Sequence, residues 1–117
     1  MPKLAPNAVA LKAHERIARA RHAIAEVDYL CSGTLLKRMM KCGKATCACR
    51  DDPAARHGPY YEWGHMKDGK LVHRYVSPEQ AEVLQRAIAN YRNVQKRLHT
   101  WQTETEHALD AQYPRKR

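Results

Sequence analysis

From about Asn7 to Tyr29, the apolar residues Ala10, Ala13, Ile17, Ala20, Ile24 and Val27 recur at alternating steps of three and four. That spacing gathers them into one stripe along an α-helix. The stripe is narrow and alanine-rich, and Lys12, Arg16, Arg19 and Arg21 lie opposite it as a solvated face. Ser32 and Gly33 break the pattern, so the spacing predicts a helix over 7–30. The far end carries a sharper start signal. In SPEQ, Ser77 can cap the orphan amides, Pro78 suits the first helical position, and Gln80 can reach back to Ser77. Leu84, Ala87, Tyr91, Val94, Leu98, Trp101, Thr105 and Ala108 then follow in three-four alternation, the seam of a coiled coil. A second helix is expected over 77–112, with the basic tail 113–117 beyond it. Tyr91 and Trp101 are read as core residues of the seam. The simplest arrangement returns the first helix antiparallel against the second as a stalk. A homodimer built through the same seams is the rival.

Residues 33–76 read as strands. GTLLKRMMK, from Gly33 to Lys41, suits a first strand, although its leucines and methionines also suit a helix. PYYEWGHM and LVHRYV are rich in aromatic and β-branched residues, and Asp68-Gly69 between them is a primed-turn signal. Alternation places Tyr61, Trp63 and His65 on one face of the second strand. On the third, Leu71, His73 and Tyr75 take one face and Val72, Arg74 and Val76 the other. The expected fold class is therefore α+β: a small three-stranded antiparallel sheet with a zinc-binding loop, flanked by two long helices in an antiparallel coiled-coil stalk. The whole chain is taken as a single domain, 1–117.

Composition narrows the function. A chain of 117 residues has room for one compact core and appendages. Its formal charge of +9 and pI near 9.7 attract polyanions, which makes nucleic acid the first partner to consider. No apolar run approaches the roughly 18 residues of a membrane span, and the N-terminus carries charge where a signal peptide needs an apolar stretch. A cytoplasmic protein without a membrane partner is expected. In that reducing setting, clustered cysteines point to metal ligation or redox chemistry ahead of disulfides.

The cluster is CGKATCACRDDPAARHGPYY, from Cys42 to Tyr61. A head of this size buries too little apolar surface to hold itself together and needs a staple. Cys42, Cys47, Cys49 and His57 supply one: three thiolates and an imidazole make a closed tetrahedral set for structural Zn2+. Gly43 is expected to let backbone amides turn toward a sulfur. Lys41, Lys44 and Arg50 offset the negative charge of the thiolates and favour their ionisation. A redox pair at Cys47 and Cys49, and unligated thiols, are the competing readings. Should His57 not ligate, Cys31, His65 or Asp51 are next in line. Cys31 on its own is a small buried side chain, and His14, His22, His99 and His107 are surface residues of the helices.

CGKATCAC, RHGPYYEW, the glycine turn MKDGK, and HRYVSPEQAE with the following NYR together resemble an uncharacterised family of short bacterial proteins. Those proteins share a CGKxxCxC core, a downstream HGPYY and flanking helices, and the resemblance covers about Gly33 to Tyr91. It implies a mobile-element context, since members occur beside transposases and recombinases, without implying a mechanism. Ala45 and Ala48 depart from the proline and basic residue that many members carry there, which thins the basic lining of the loop.

Basic side chains and rings interleave across the head. Lys37, Arg38, Lys41, Lys44, Arg50, Lys70, Arg74 and Tyr61 are the candidate nucleic-acid contacts, the cations neutralising phosphates and the ring stacking on bases. Tyr61 and Trp63 have a competing role as core residues, because the chain contains no phenylalanine. No glycine-rich phosphate loop, nucleophile elbow or paired-histidine motif is present, and a phosphotransfer tyrosine at Tyr60 or Tyr61 lacks identifiable partners, so no enzyme activity is expected. The sequence reading is a zinc-stabilised basic nucleic-acid-binding accessory protein of mobile-element DNA transactions, with DNA ahead of RNA and a recombinase or transposase as possible partner. The alternative is a coiled-coil adaptor that binds protein.

Overall fold

The computed structural model describes residues 7–114; residues 115–117 of the expected basic tail lie outside that range. Two helices, α1 (Ala8–Ala25) and α2 (Pro78–Gln112), enclose in sequence three strands, β1 (Thr34–Met40), β2 (His57–Lys67) and β3 (Lys70–Val76). The strands form one antiparallel sheet in the order β1-β2-β3. The described chain divides into two compact units, one of residues 7–28 with 92–114 and the other of residues 29–91.

In the 29–91 unit, β1 is drawn into the sheet by its partner, with Leu35 opposite Trp63 and Lys37 opposite Tyr61. Pairing with a central strand thus decides a segment whose own propensity is ambiguous. Lys67 faces Lys70 across the two-residue turn. Asp68 and Gly69 take φ of 52° and 79°, the left-handed values that a type I′ turn needs at both positions. The capping box closes as its residues dictate: the Ser77 amide donates to Gln80 Oε1 at 3.0 Å and the Gln80 amide to Ser77 Oγ at 3.1 Å.

The first turns of α2 cover one face of this sheet. Val76, Ala81 and Leu84 form the core cluster, with Cys31, Leu35, Tyr61 and Trp63 packed against it. Trp63 also donates its indole N–H to the Ser32 carbonyl at 3.0 Å, and the Arg74 guanidinium lies 5.3 Å from its ring centroid. A Val or Leu side chain contributes about 1.5–3 kcal/mol when buried, so so few large residues make a thin core. The largest side chain that is fully buried is Cys49.

Leu84 and Ala87, expected in a helix-to-helix seam, are buried in the 29–91 unit instead. Helix α1 also stops earlier than the spacing predicts, at Ala25 with Glu26 as its cap. The residues that follow find hydrogen bonds elsewhere: Asn90 Nδ2 donates to the Tyr29 carbonyl at 2.9 Å, and the Cys31 amide to the Ala87 carbonyl at 3.3 Å.

In the other unit the alanines of the α1 stripe, Ala10, Ala13 and Ala20, are at most 1% exposed, while Ile17 and Ile24 are half-buried and Val27 lies beyond the helix. Asn7 caps α1 by accepting from the Ala10 amide, while its own amide and Nδ2 donate to Gln112 Oε1 and the Ala111 carbonyl. Arg16 meets Glu104, and Arg21 lies over the Trp101 ring. Contacts that pair 7, 16 and 21 with 112, 104 and 101 run the two segments in opposite directions. The expected seam residues Leu98 and Thr105 are exposed, whereas Glu104 is buried at 8%. Arg16 of α1 reaches Glu104 and not Thr105, so the position that turns inward here is the one with a partner.

Glu104 tolerates burial because it is paired. Arg16 Nη1 and His107 Nδ1 both lie 3.3 Å from its Oε2. Burial alone raises the pKa of this carboxyl, but the hydrogen bonds and charges of His107 and Arg16 outweigh it and leave the pKa below its ordinary value of 4.5. A carboxyl depressed in the folded state contributes stability that is present above the unfolded-state pKa and is lost as pH falls through the folded-state value. Glu104→Gln is therefore expected to flatten the acid limb of thermal stability below the ordinary carboxylate range, followed by far-UV circular dichroism. An unchanged acid limb would show that the pair contributes nothing.

Candidate metal centre

The loop from β1 to β2 contains only two short 3₁₀ turns, Ala48–Arg50 and Pro53–Ala55. Asp52 caps the second by accepting from the Ala54 amide at 2.9 Å. Between them these turns fold the loop back on itself and bring Cys47 and Cys49 to the end of the sheet. The ladder between β1 and β2 slips there, from Arg38 opposite Tyr60 to Met40 opposite His57. Gly58 absorbs the slip with φ of 133°, and a Cβ at this position would come within 2.8 Å of the Arg38 carbonyl oxygen. The consequence is that His57 lies beside the strand that leads into Cys42.

Cys42, Cys47, Cys49 and His57 each offer one donor atom, and the four atoms lie within 4.8 Å of one another. The Cys42 and Cys49 sulfurs are 3.5 Å apart, and Cys47 Sγ is 3.2 Å from His57 Nε2. Zinc bonds of about 2.3 Å to sulfur and about 2.0 Å to nitrogen, at tetrahedral angles, set edges of about 3.8 and about 3.5 Å. The observed separations are therefore of the size that one bound ion requires. All four cysteines are free thiols. Cys31 packs against the Val76–Leu84 cluster, and neither it, His65 nor Asp51 belongs to the donor group.

Electrostatics divide the thiols. The Cys49 amide donates to Cys47, and with the thiols of Cys49 and Cys42 and the His57 ring it brings the Cys47 pKa down to about 6. Cys49 receives the Cys42 amide at 3.3 Å, which favours its thiolate. Burial and the neighbouring Cys47 and Cys42 groups nevertheless push its pKa up. A cation bound among these sulfurs would favour the thiolate form at Cys49 against the burial and neighbouring groups that raise its pKa. The amides that turn toward sulfur belong to Cys42 and Cys49. Gly43, expected to serve that turn, has no positive φ and no neighbour near its missing Cβ.

The candidate cations Lys37, Arg38, Lys41, Lys44, Arg50, Lys70 and Arg74 are all exposed. They do not form one patch. Lys41, Lys44 and Arg50 belong to the metal-centre end, whereas Lys70 begins β3 at the hairpin tip, some ten residues along β2 and about 34 Å away at the usual rise per residue. Arg38 is 3.9 Å from Glu62, and Arg74 is committed to the Trp63 ring. Tyr61 is half-buried against the core cluster. On the sheet, the exposed tyrosines are Tyr60 and Tyr75, 44% and 57% exposed and meeting edge to face at 6.4 Å between centroids. Strand parity separates them from Tyr61, but the pairing of β2 with β3 is needed to bring them together.

A three-stranded antiparallel sheet with a cysteine-histidine cluster at its first connection, between two helices in sequence, defines the class of this small α+β protein. The chain belongs to a domain family of unknown function, DUF6788, whose model matches residues 11–86. No curated protein and no solved structure matches it significantly.

Cys49→Ser and Cys42→Ser are expected to abolish stoichiometric metal in the purified protein, measured by native mass spectrometry, and to lower the denaturation midpoint of the sheet unit. Cys31→Ser should keep its metal. Equal metal content in all three variants would show that these thiols are not ligands.

Proposed function

We propose that the chain is a zinc-stabilised nucleic-acid-binding protein that serves DNA transactions as an accessory factor. The donor chemistry supports zinc, because three thiolates with one imidazole favour a tetrahedral, borderline-soft ion and leave no open position for catalysis. The ion is structural in this reading, and the protein has no enzyme activity of its own. The observation that carries the binding role is that Lys41, Lys44 and Arg50 are exposed at the metal-centre end of the sheet, with Lys37, Arg38, Lys70 and Arg74 exposed elsewhere on it, in a chain of charge +9. DNA is the first choice of polyanion over RNA. A recombinase or transposase partner, and a bacterial mobile-element setting, rest on the family resemblance and not on the geometry.

The helices support a second reading. Leu11, Leu98 and Leu109 are 45–57% exposed in the helical unit, the surface that a protein-binding coiled coil or a homodimer seam would use. Among the described residues no helix is long and apolar enough to cross a membrane, so a lipid-spanning role for these leucines has no support.

Salt-titrated fluorescence anisotropy separates the two. If about five phosphates are engaged on a duplex, log K should fall with log salt at a slope of about −4.5, and each Lys→Ala or Arg→Ala at a contact should reduce the slope by about 0.9. Absent or salt-insensitive binding, together with self-association through the helices, would favour the adaptor.

A further inference from the structure

We infer that a cavity at the metal-centre end of the sheet receives one unpaired base of a single-stranded nucleic acid, which stacks on Tyr75 against the edge of Tyr60. The inference rests on the nucleic-acid reading above and specifies its ligand. The cavity has a volume of about 420 Å³ and is lined by Met40, Lys41, Cys42, His57, Tyr60 and Tyr75, toward the lower end of the roughly 300–1,000 Å³ usual for small-ligand sites. It lies wholly within the 29–91 unit. Tyr60 and Tyr75 stand at an interplanar angle of 69°, so a planar group can lie flat on one ring while the other closes its side. Tyr75 Oη is 3.6 Å from Met40 Sδ, a contact that orients the ring at the mouth.

Charge selects the occupant. Three thiolates around a dication leave a net charge of −1 on the wall formed by Cys42 and His57, and Lys41 in the same lining offsets it. Lys44 and Arg50, exposed on the adjoining loop, can hold the phosphates on either side of an inserted base. The carboxylate of Glu62, which follows Tyr60 by two residues on β2, is drawn into pairs with His73 at 3.2 Å and Arg38 at 3.9 Å. It therefore repels an incoming strand less than a free carboxylate would. An intact duplex keeps its bases stacked and presents only their edges, so it can use the cations but not the two rings. An acidic peptide would likewise use the lysines and leave the rings idle.

The test uses the full chain with its metal and compares a single-stranded oligonucleotide with the duplex of the same sequence. Tyr75→Ala and Tyr60→Ala should each weaken single-strand binding by about 5- to 150-fold, change duplex binding by less than about twofold, and leave the salt slope unaltered, while Tyr75→Phe binds as the parent does. Lys41→Gln should reduce the single-strand slope by about 0.7. In the unmodified protein, a 2-aminopurine within the strand should lose fluorescence on binding, and this readout stands even if an alanine variant loses its metal. Salt-dependent binding that ignores the tyrosine substitutions and leaves 2-aminopurine unquenched would overturn the base pocket and spare the nucleic-acid reading. A parent protein that binds neither strand nor duplex would overturn both. Equal losses at Tyr75→Ala for poly-glutamate and for the single strand would overturn it in favour of a protein partner.

Discussion

Three sulfurs and one ring nitrogen converge within 4.8 Å of one another at the end of the sheet in the 29–91 unit, the constraint that ties down the loop between β1 and β2. The unit's apolar cluster, built on Val76, Ala81 and Leu84, is small, and a long loop must still be held in place between β1 and β2. Backbone order costs about 1–2 kcal/mol per residue, and the loop contains only two single-turn helices to offset it. Among the described residues Cys49 is the largest side chain that is fully buried, and it is also a donor. Packing and ligation thus coincide at a single residue. A bound ion would add to the stability of exactly those segments that have the least of their own, because metal affinity for a folded site is folding free energy.

The sheet has two faces with different duties. One, with Leu35, Tyr61 and Trp63, lies under the first turns of α2. The other keeps Tyr60 and Tyr75 open to solvent and carries the Arg38, Glu62 and His73 pairs. Alternation along a strand makes this division automatic: every residue that secures the core leaves its neighbour facing outward. The slip at Gly58 then brings His57 beside Met40, and so the donor group and the two exposed rings share one end of the sheet.

The helical unit solves a different problem. Alanines at Ala10, Ala13 and Ala20 allow close helix approach but contribute little apolar area each. Glu104 with Arg16 and His107 adds a polar contact to that interface. Removing one member of such a buried set leaves a charge without compensation, which costs more than the set contributes when intact. Its value is as much in fixing which residues face each other as in stability.

Much of this was legible in the residues. The capping box at Ser77–Gln80, the Asp68-Gly69 turn, the alanine stripe of α1 and the four donors are local or strongly typed signals, and each implies its structure through stereochemistry or ligand chemistry alone. What the tertiary structure decided are matters of partner and phase. β1 became a strand because β2 offered it a ladder. Leu84 left the expected seam because the sheet-side cluster took it, and Glu104 is buried in place of Thr105 because Arg16 of α1 reaches it. Tyr60 and Tyr75 came together, and Tyr61 turned inward, because register between strands is a non-local choice. Local sequence can encode a side chain's chemistry and its parity, but only the folded chain determines which neighbour it meets.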